Sequence, residues 1–254
     1  MINEPIEHHY NAVCYLKGFL EAGQCELWIY NKEIEGPPYH KAPKAIMFED
    51  EFYTFIDISD QPNRSVEKEL FGLIDRQISP ILKKIQELKM DEISGEDYGI
   101  IIQFVALQWL RGPKPRAQLE ARLKENKLEL DKEKIRQIWL LKALPEAEKM
   151  INFLFSRSAV FVVSPEDEYF ITSDAPCTSE EDITNKNIQR FIPLSSRVGL
   201  LIMDHESNSE RPKWKQATKE HVEILNERVA KNAVKYIAAK DKKTLEKIIS
   251  KFTS

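Results

Sequence analysis

The apolar and polar positions along the chain divide it into four stretches with different periodicities. Up to about residue 60, short β-branched and aromatic runs alternate with turn chemistry. ELWIY (26–30), KAIMF (44–48) and EFYTFIDI (51–58) are separated by AG at 22–23, GPP at 36–38 and ED at 49–50, and read as strands. From 64 to 156 the period becomes helical, with Leu70, Ile74, Ile78, Leu82 and Ile85 three or four residues apart. Pro80 falls inside that run and predicts a kink or break. Ser94 reads as the N-cap of a helix over 96–110, with Asp97 in its first turn and Gly112-Pro113 at its end. Two more helices are predicted near 115–127 and 131–156.

The third stretch returns to strands. AVFVVS (159–164) and EYFITS (168–173) flank PED and predict a hairpin, and RFIPL (190–194) and RVGLLIM (197–203) predict two further strands. From Ala217 the pattern is helical to the end, with Leu225, Val229, Ala233 and Tyr236 as one stripe. Leu245, Ile248 and Ile249 form another after a break near Asp241. The chain therefore reads as one α+β domain over 1–254: β-rich 1–60, helical 64–156, β-hairpins 159–203 and C-terminal helices 217–253. Segregated runs imply a mixed or mainly antiparallel sheet built from the N- and C-terminal strands, with the helical middle packed on it.

Composition adds exclusions. The 254 residues are 42% hydrophobic and 31% charged, the make-up of a globular chain, and the net charge of −4 gives no overall basic field. The charged segment 121–134 alternates in sign and reads as a solvated helix pair. Cys14, Cys25 and Cys177 form no CxxC pair, so neither a zinc site nor a disulfide framework is implied. The longest apolar run, 101–110, is broken by Gln103 and Gln108 and is too short to span a bilayer. The acidic N-terminus has no apolar signal core. The expectation is a cytoplasmic protein with no membrane partner.

No glycine-rich phosphate loop, HExxH, GxSxG or EF-hand loop is present. The candidate chemistry is dispersed. Neighbours in extended chain point to opposite faces, so only one of His8 and His9 can face a given site; His9 is taken as the acid/base candidate and His8 as a substrate contact. Arg111 continues the apolar stripe Ile100, Phe104, Leu107, and an inward guanidinium there needs a carboxylate, a phosphate or carbonyls; Gln108 lies one turn before it. Asp174 follows Ser173 at the end of a predicted strand, where it either presents a carboxylate or makes an Asx-turn before Pro176. Asn226 sits on the apolar face of the tail helix and must be hydrogen-bonded if buried. No metal site is predicted: His8 or His9 with Asp174 supplies two ligands and no obvious third, a weak signal for a divalent ion.

The ordered motifs resemble a widespread, largely bacterial family, domain of unknown function 4238. Its members typically open with His-His-Tyr-Val-Pro, here His8-His9-Tyr10, then an aromatic-Leu-basic-x-Phe segment, here Tyr15 to Phe19, then Trp28-Ile29-Tyr30. Phe52-Tyr53, Gln108 with Arg111 and Pro113, Ser173-Asp174 with Pro176, Pro193-Leu194-Ser195, and Asn226 follow in order. Two positions depart from the pattern. Asn11-Ala12 replaces Val-Pro, and Ala175 stands where Ser-Asp-Asn-Pro has its Asn. The resemblance brings no established activity, but it implies that His9, Arg111 and Asp174 share one site, with His8, Tyr10, Gln108, Ser173 and Asn226 around it.

Two functions are expected from these residue types. One is a hydrolase, specifically a phosphodiester-cleaving nuclease, with His9 as acid/base, Arg111 on the phosphate and Asp174 orienting the His or a metal ion. The other is a non-catalytic module that binds a nucleotide-like or anionic ligand, or a partner protein. The bland alternative is that the same groups only tie loops down.

Overall fold

The computed structural model describes residues 6–57, 59, 61–179, 189–206 and 213–251. Residues 1–5 and 252–254, at the outer ends of the predicted zones, lie outside the described residues.

The helical middle forms as its periodicity predicts. After a four-residue α1 (Val13–Leu16), a π-helical turn over Val66–Phe71 leads into α2 (Gly72–Gln86). α3 (Gly95–Arg111), α4 (Pro113–Glu125) and α5 (Lys132–Phe155) follow. Ser94 caps α3: its Oγ accepts from the Asp97 N–H at 3.0 Å, while the Asp97 carboxylate accepts from the Ser94 N–H at 2.9 Å. α3 buries Tyr98, Ile101, Ile102, Phe104, Val105, Ala106 and Leu107, more than one face, because α2 and α5 both pack on it. Pro80 lies inside a continuous α2, so the predicted break does not occur.

The strands depart further from expectation. The four-stranded antiparallel sheet, in the order β3 (Tyr39–Lys41), β2 (Leu27–Asn31), β13 (Tyr236–Ala239), β8 (Thr172–Ser173), joins the two ends of the chain. The five-stranded sheet is separate. It runs β12 (Lys213–Gln216), β7 (Arg157–Val163), β11 (Val198–Glu206), β10 (Gln189–Pro193), β9 (Thr178–Ser179), with β12 parallel to β7 and the other pairs antiparallel. β1 (Glu7–His9) pairs with β4 (Phe48–Asp50), and β5 (Phe55–Ile56) with β6 (Pro62–Asn63).

The PED hairpin is therefore a misreading. β7 pairs with β11 and β12, and the chain after the turn crosses to the other sheet, where β8 pairs with β13. The tail is not helical throughout either. α6 (Lys219–Asn232) ends before β13, which takes Tyr236, and α7 (Lys242–Ile249) starts from the Asp241 cap. Tyr-Ile-Ala-Ala carries no strand alternation; its place between β2 and β8 decides its state. KAIMF forms a 3-10 turn over Pro43–Ala45 before β4. The overall class is α+β, with antiparallel pairing dominant.

Candidate functional site

The segment after β1 meets the end of α3 and the turn after β8, and the predicted residues are brought together there mostly through backbone. Arg111 is fully buried. Its Nη1 donates to Asp75 Oδ1 at 2.8 Å, and its Nη2 to Asp75 Oδ2 at 3.3 Å and to the His9 carbonyl at 2.6 Å. Its guanidinium stands 4.7 Å from the Phe71 ring centroid, and its Nε has no partner. The inward reading of Arg111 holds, and the carboxylate it needs is Asp75 from α2. Tyr53 donates to the Arg111 carbonyl at 2.6 Å, satisfying one of the orphan acceptors at the α3 C-terminus.

The histidines divide by face, as alternation demands. His8 is buried, stacks parallel to Tyr53, and its Nδ1 accepts from the Tyr53 N–H at 2.9 Å. His9 is half-buried, packs on Phe48 and sits 3.2 Å from the Lys44 carbonyl, with its pKa lowered chiefly by desolvation. The Arg111 guanidinium reaches the backbone carbonyl of His9 and not its ring.

The Asp174 carboxylate is buried and already holds three backbone donors: Val234 to Oδ1 at 2.9 Å, and Lys235 and Tyr236 to Oδ2 at 2.7 and 3.0 Å. Burial raises its pKa against the pull of those N–H groups. It pins the turn between α6 and β13. Asn226 plays a similar part, accepting from Ile171 N–H at 3.0 Å and donating to the Tyr169 carbonyl at 2.8 Å. The Ser173 carbonyl accepts from Asn11 Nδ2 at 2.7 Å, and its Oγ accepts from Ala175 N–H. Tyr10 packs on Phe52, and burial pushes its hydroxyl pKa well up.

Gln108 is different. It is 1% exposed, and its Nε2 donates both to the Tyr10 carbonyl at 2.8 Å and to Asn11 Oδ1. Both partners are acceptors there, so the amide cannot be flipped, and Oε1 is left buried with no partner. Gln108 lines a pocket of about 90 Å³ with Trp109, Gly112, Lys114, Gln118, Ala175, Pro176 and Asn232 among its other walls. Asn232, the last residue of α6, closes one side: its Nδ2 donates to the Ala175 and Cys177 carbonyls at 2.6 and 2.9 Å, and its Oδ1 accepts from Lys114 Nζ. Gly112 allows a close approach here: a Cβ would lie 3.0 Å from the Asp174 carbonyl oxygen, tighter than ordinary contact. The pocket thus forms where two motif segments of the sequence, 108–113 and 173–176, meet the end of α6.

Sequence reasoning passed over Asp75, Glu67, Lys114 and Asn232. Glu67 lies in the π-helical turn, and burial pushes its carboxyl up to about 7, with Arg111 pulling the other way and Asp75 adding to the rise. Its Oε2 is buried without a partner. Among the described residues, no three His, Cys, Asp or Glu side chains are grouped to hold a metal ion. No helix among them is long and apolar enough to cross a membrane.

Fold and site together define an α+β protein whose motif residues close a small polar pocket around buried Gln108. A family model, described as protein of unknown function (DUF4238), matches residues 7–243, and the chain belongs to that family. No curated protein and no solved structure matches it.

Proposed function

We propose that the chain is a non-catalytic binding module for a small polar ligand held in the Gln108 pocket. One observation carries this reading: a pocket of about 90 Å³ whose wall holds the Lys114 ammonium, positioned by Asn232 Oδ1, beside the amides of Gln108, Gln118 and Asn232. The lining supplies recognition groups and no catalytic set. Its titratable side chains are Lys114 and Cys177. Burial pushes the Cys177 thiol far above its usual range, and its Sγ points to the Val105 carbonyl, which makes it a poor nucleophile. Arg111 and Asp174 are spent on Asp75, the His9 carbonyl and the 234–236 turn.

The test is a fragment screen by ligand-observed NMR and thermal shift, on the wild type and on Gln118→Trp, which fills the pocket from its exposed rim. Fragments that bind the wild type and are lost in the variant support the reading. A wild type that binds none, or a variant that binds them equally, sinks it.

A second reading, hydrolysis of a phosphate-bearing substrate, is favoured by Glu67. A carboxyl titrating near neutrality beside a guanidinium suits general acid/base work. Wild type and Glu67→Gln are compared on a nucleic-acid panel, with and without divalent metal. Turnover lost in the variant supports hydrolysis, and an inactive wild type removes it.

A further inference from the structure

A second cavity, of about 560 Å³, shares no wall residue with the Gln108 pocket. It lies between α6 and the outer face of the five-stranded sheet. Strand alternation builds its floor. Ala159, Phe161 and Val163 of β7 and Leu200 and Ile202 of β11 belong to the main core. Val160, Val162, Leu201 and Met203 therefore point the other way, and they are left half-buried in the cavity. α6 packs chiefly on β8 and β9, so this floor meets the helix through Ile224 and Leu225. Ile224 stands at the rim, 48% exposed. Polar groups mark the ends. Lys215 of β12 pairs beside Val162, and His221 stands in the first turn of α6, just after β12. Ser158 and Gln189 lie at the other end of the floor, and Arg228, two turns further along α6, is already engaged. None of the described lining residues is acidic.

We infer that this cavity binds a single-chain aliphatic carboxylate, with its head at Lys215 and His221 and its chain along Val160, Leu201 and Met203. The size fits, since small-ligand pockets run to about 300–1,000 Å³. From Val162 to Ser158 the floor is about 13 Å long, the reach of an extended chain of about ten carbons. The charge fits as well. Among the described residues the Lys215 ammonium has no hydrogen-bond or ion-pair partner. His221 Nδ1 accepts from the Thr218 N–H in the capping box of α6, so its hydrogen sits on Nε2 as a donor. The start of a 14-residue helix adds a partial positive charge at the same end. An apolar floor leading to a cationic end complements a chain with an anionic head, and a cationic head would be repelled there.

The experiment is calorimetric titration of the full chain, stripped of co-purified lipid, with straight-chain alkanoates kept below micelle formation. Matched alkanols and alkyltrimethylammonium ions test the head. Each added CH₂ should tighten binding about fourfold, and the gain should stop near ten carbons. The alkanoate should bind about tenfold more tightly than its alkanol. Lys215→Met should remove most of that margin and leave alkanol binding unchanged. Ile224→Glu, at the exposed rim, should weaken alkanoates about tenfold or more at an unchanged melting temperature. Gln118→Trp, which blocks the other pocket, should change nothing. Affinity that ignores chain length, or alkanols or ammonium ions that bind as well as alkanoates, would overturn the assignment. Alkanoate binding that survives Ile224→Glu, or is lost in Gln118→Trp, would place the ligand elsewhere and overturn it too. So would light scattering that finds a dimer dissociated by Ile224→Glu, because a second copy would then cover this face. Each of these failures leaves the Gln108 reading standing, to be judged by its own screen.

Discussion

At the scale of single residues, most of the buried polar groups hold chain segments together, and two of them make sharp predictions. Asp174 accepts from three successive backbone N–H groups. Asp174→Ala strands those donors and should cost about 3 kcal/mol in urea unfolding, with hydrogen exchange at residues 234–236 accelerating beyond the rest of the sheet. Equal acceleration everywhere would show that the carboxylate does not act locally. Glu67 predicts a pH dependence. Its folded pKa of about 7 lies above the ordinary carboxyl value of 4.5, so the folded chain holds the proton more tightly. Its contribution is full below about pH 4.5 and is lost as pH rises to 7. Glu67→Gln should remove that slope, and by pH 8 the variant should be more stable than wild type by about 1–3 kcal/mol. Unfolding at pH 5 and pH 8 checks this, and parallel wild-type and variant profiles would refute it. The sequence exposed Arg111 and Gln108 because each is polar on an apolar stripe. It hid Glu67, which looks like an ordinary first-turn acid until the π-helical turn draws it inward.

At the scale of elements, the helices were legible and the strand pairings were not. A helix carries its own hydrogen bonds, so periodicity and caps such as Ser94 and Asp97 suffice to define α3. A strand depends on its partners. The turn chemistry of PED gives no sign that β7 and β8 belong to different sheets. Nor does Tyr-Ile-Ala-Ala announce a strand, since its small residues fit only because β2 and β8 already flank them. The pocket shares this dependence. Lys114 and Asn232 belong to different helices, and nothing in either local pattern predicts that α6 ends against the start of α4.

At the scale of the whole molecule, the pocket's walls come from three distant segments, 108–118, 175–179 and Asn232, so it is complete only when all three are folded. Ala175, one of the two departures from the family pattern, is part of that pocket's wall. The resemblance read from short motifs singled out Arg111, Asp174 and Asn226, and the contacts these make hold chain segments together. The four-stranded sheet carries this further. β2 has β3 on one side, but its other edge is filled only by β13, about 200 residues later. At a synthesis rate of about 5–20 residues per second, that edge stays open for roughly 10–40 seconds on the ribosome. The amino-terminal hairpin is thus a nascent chain's exposed edge, and its protection during translation falls to chaperones or to its own charges, such as Lys41 and Lys32.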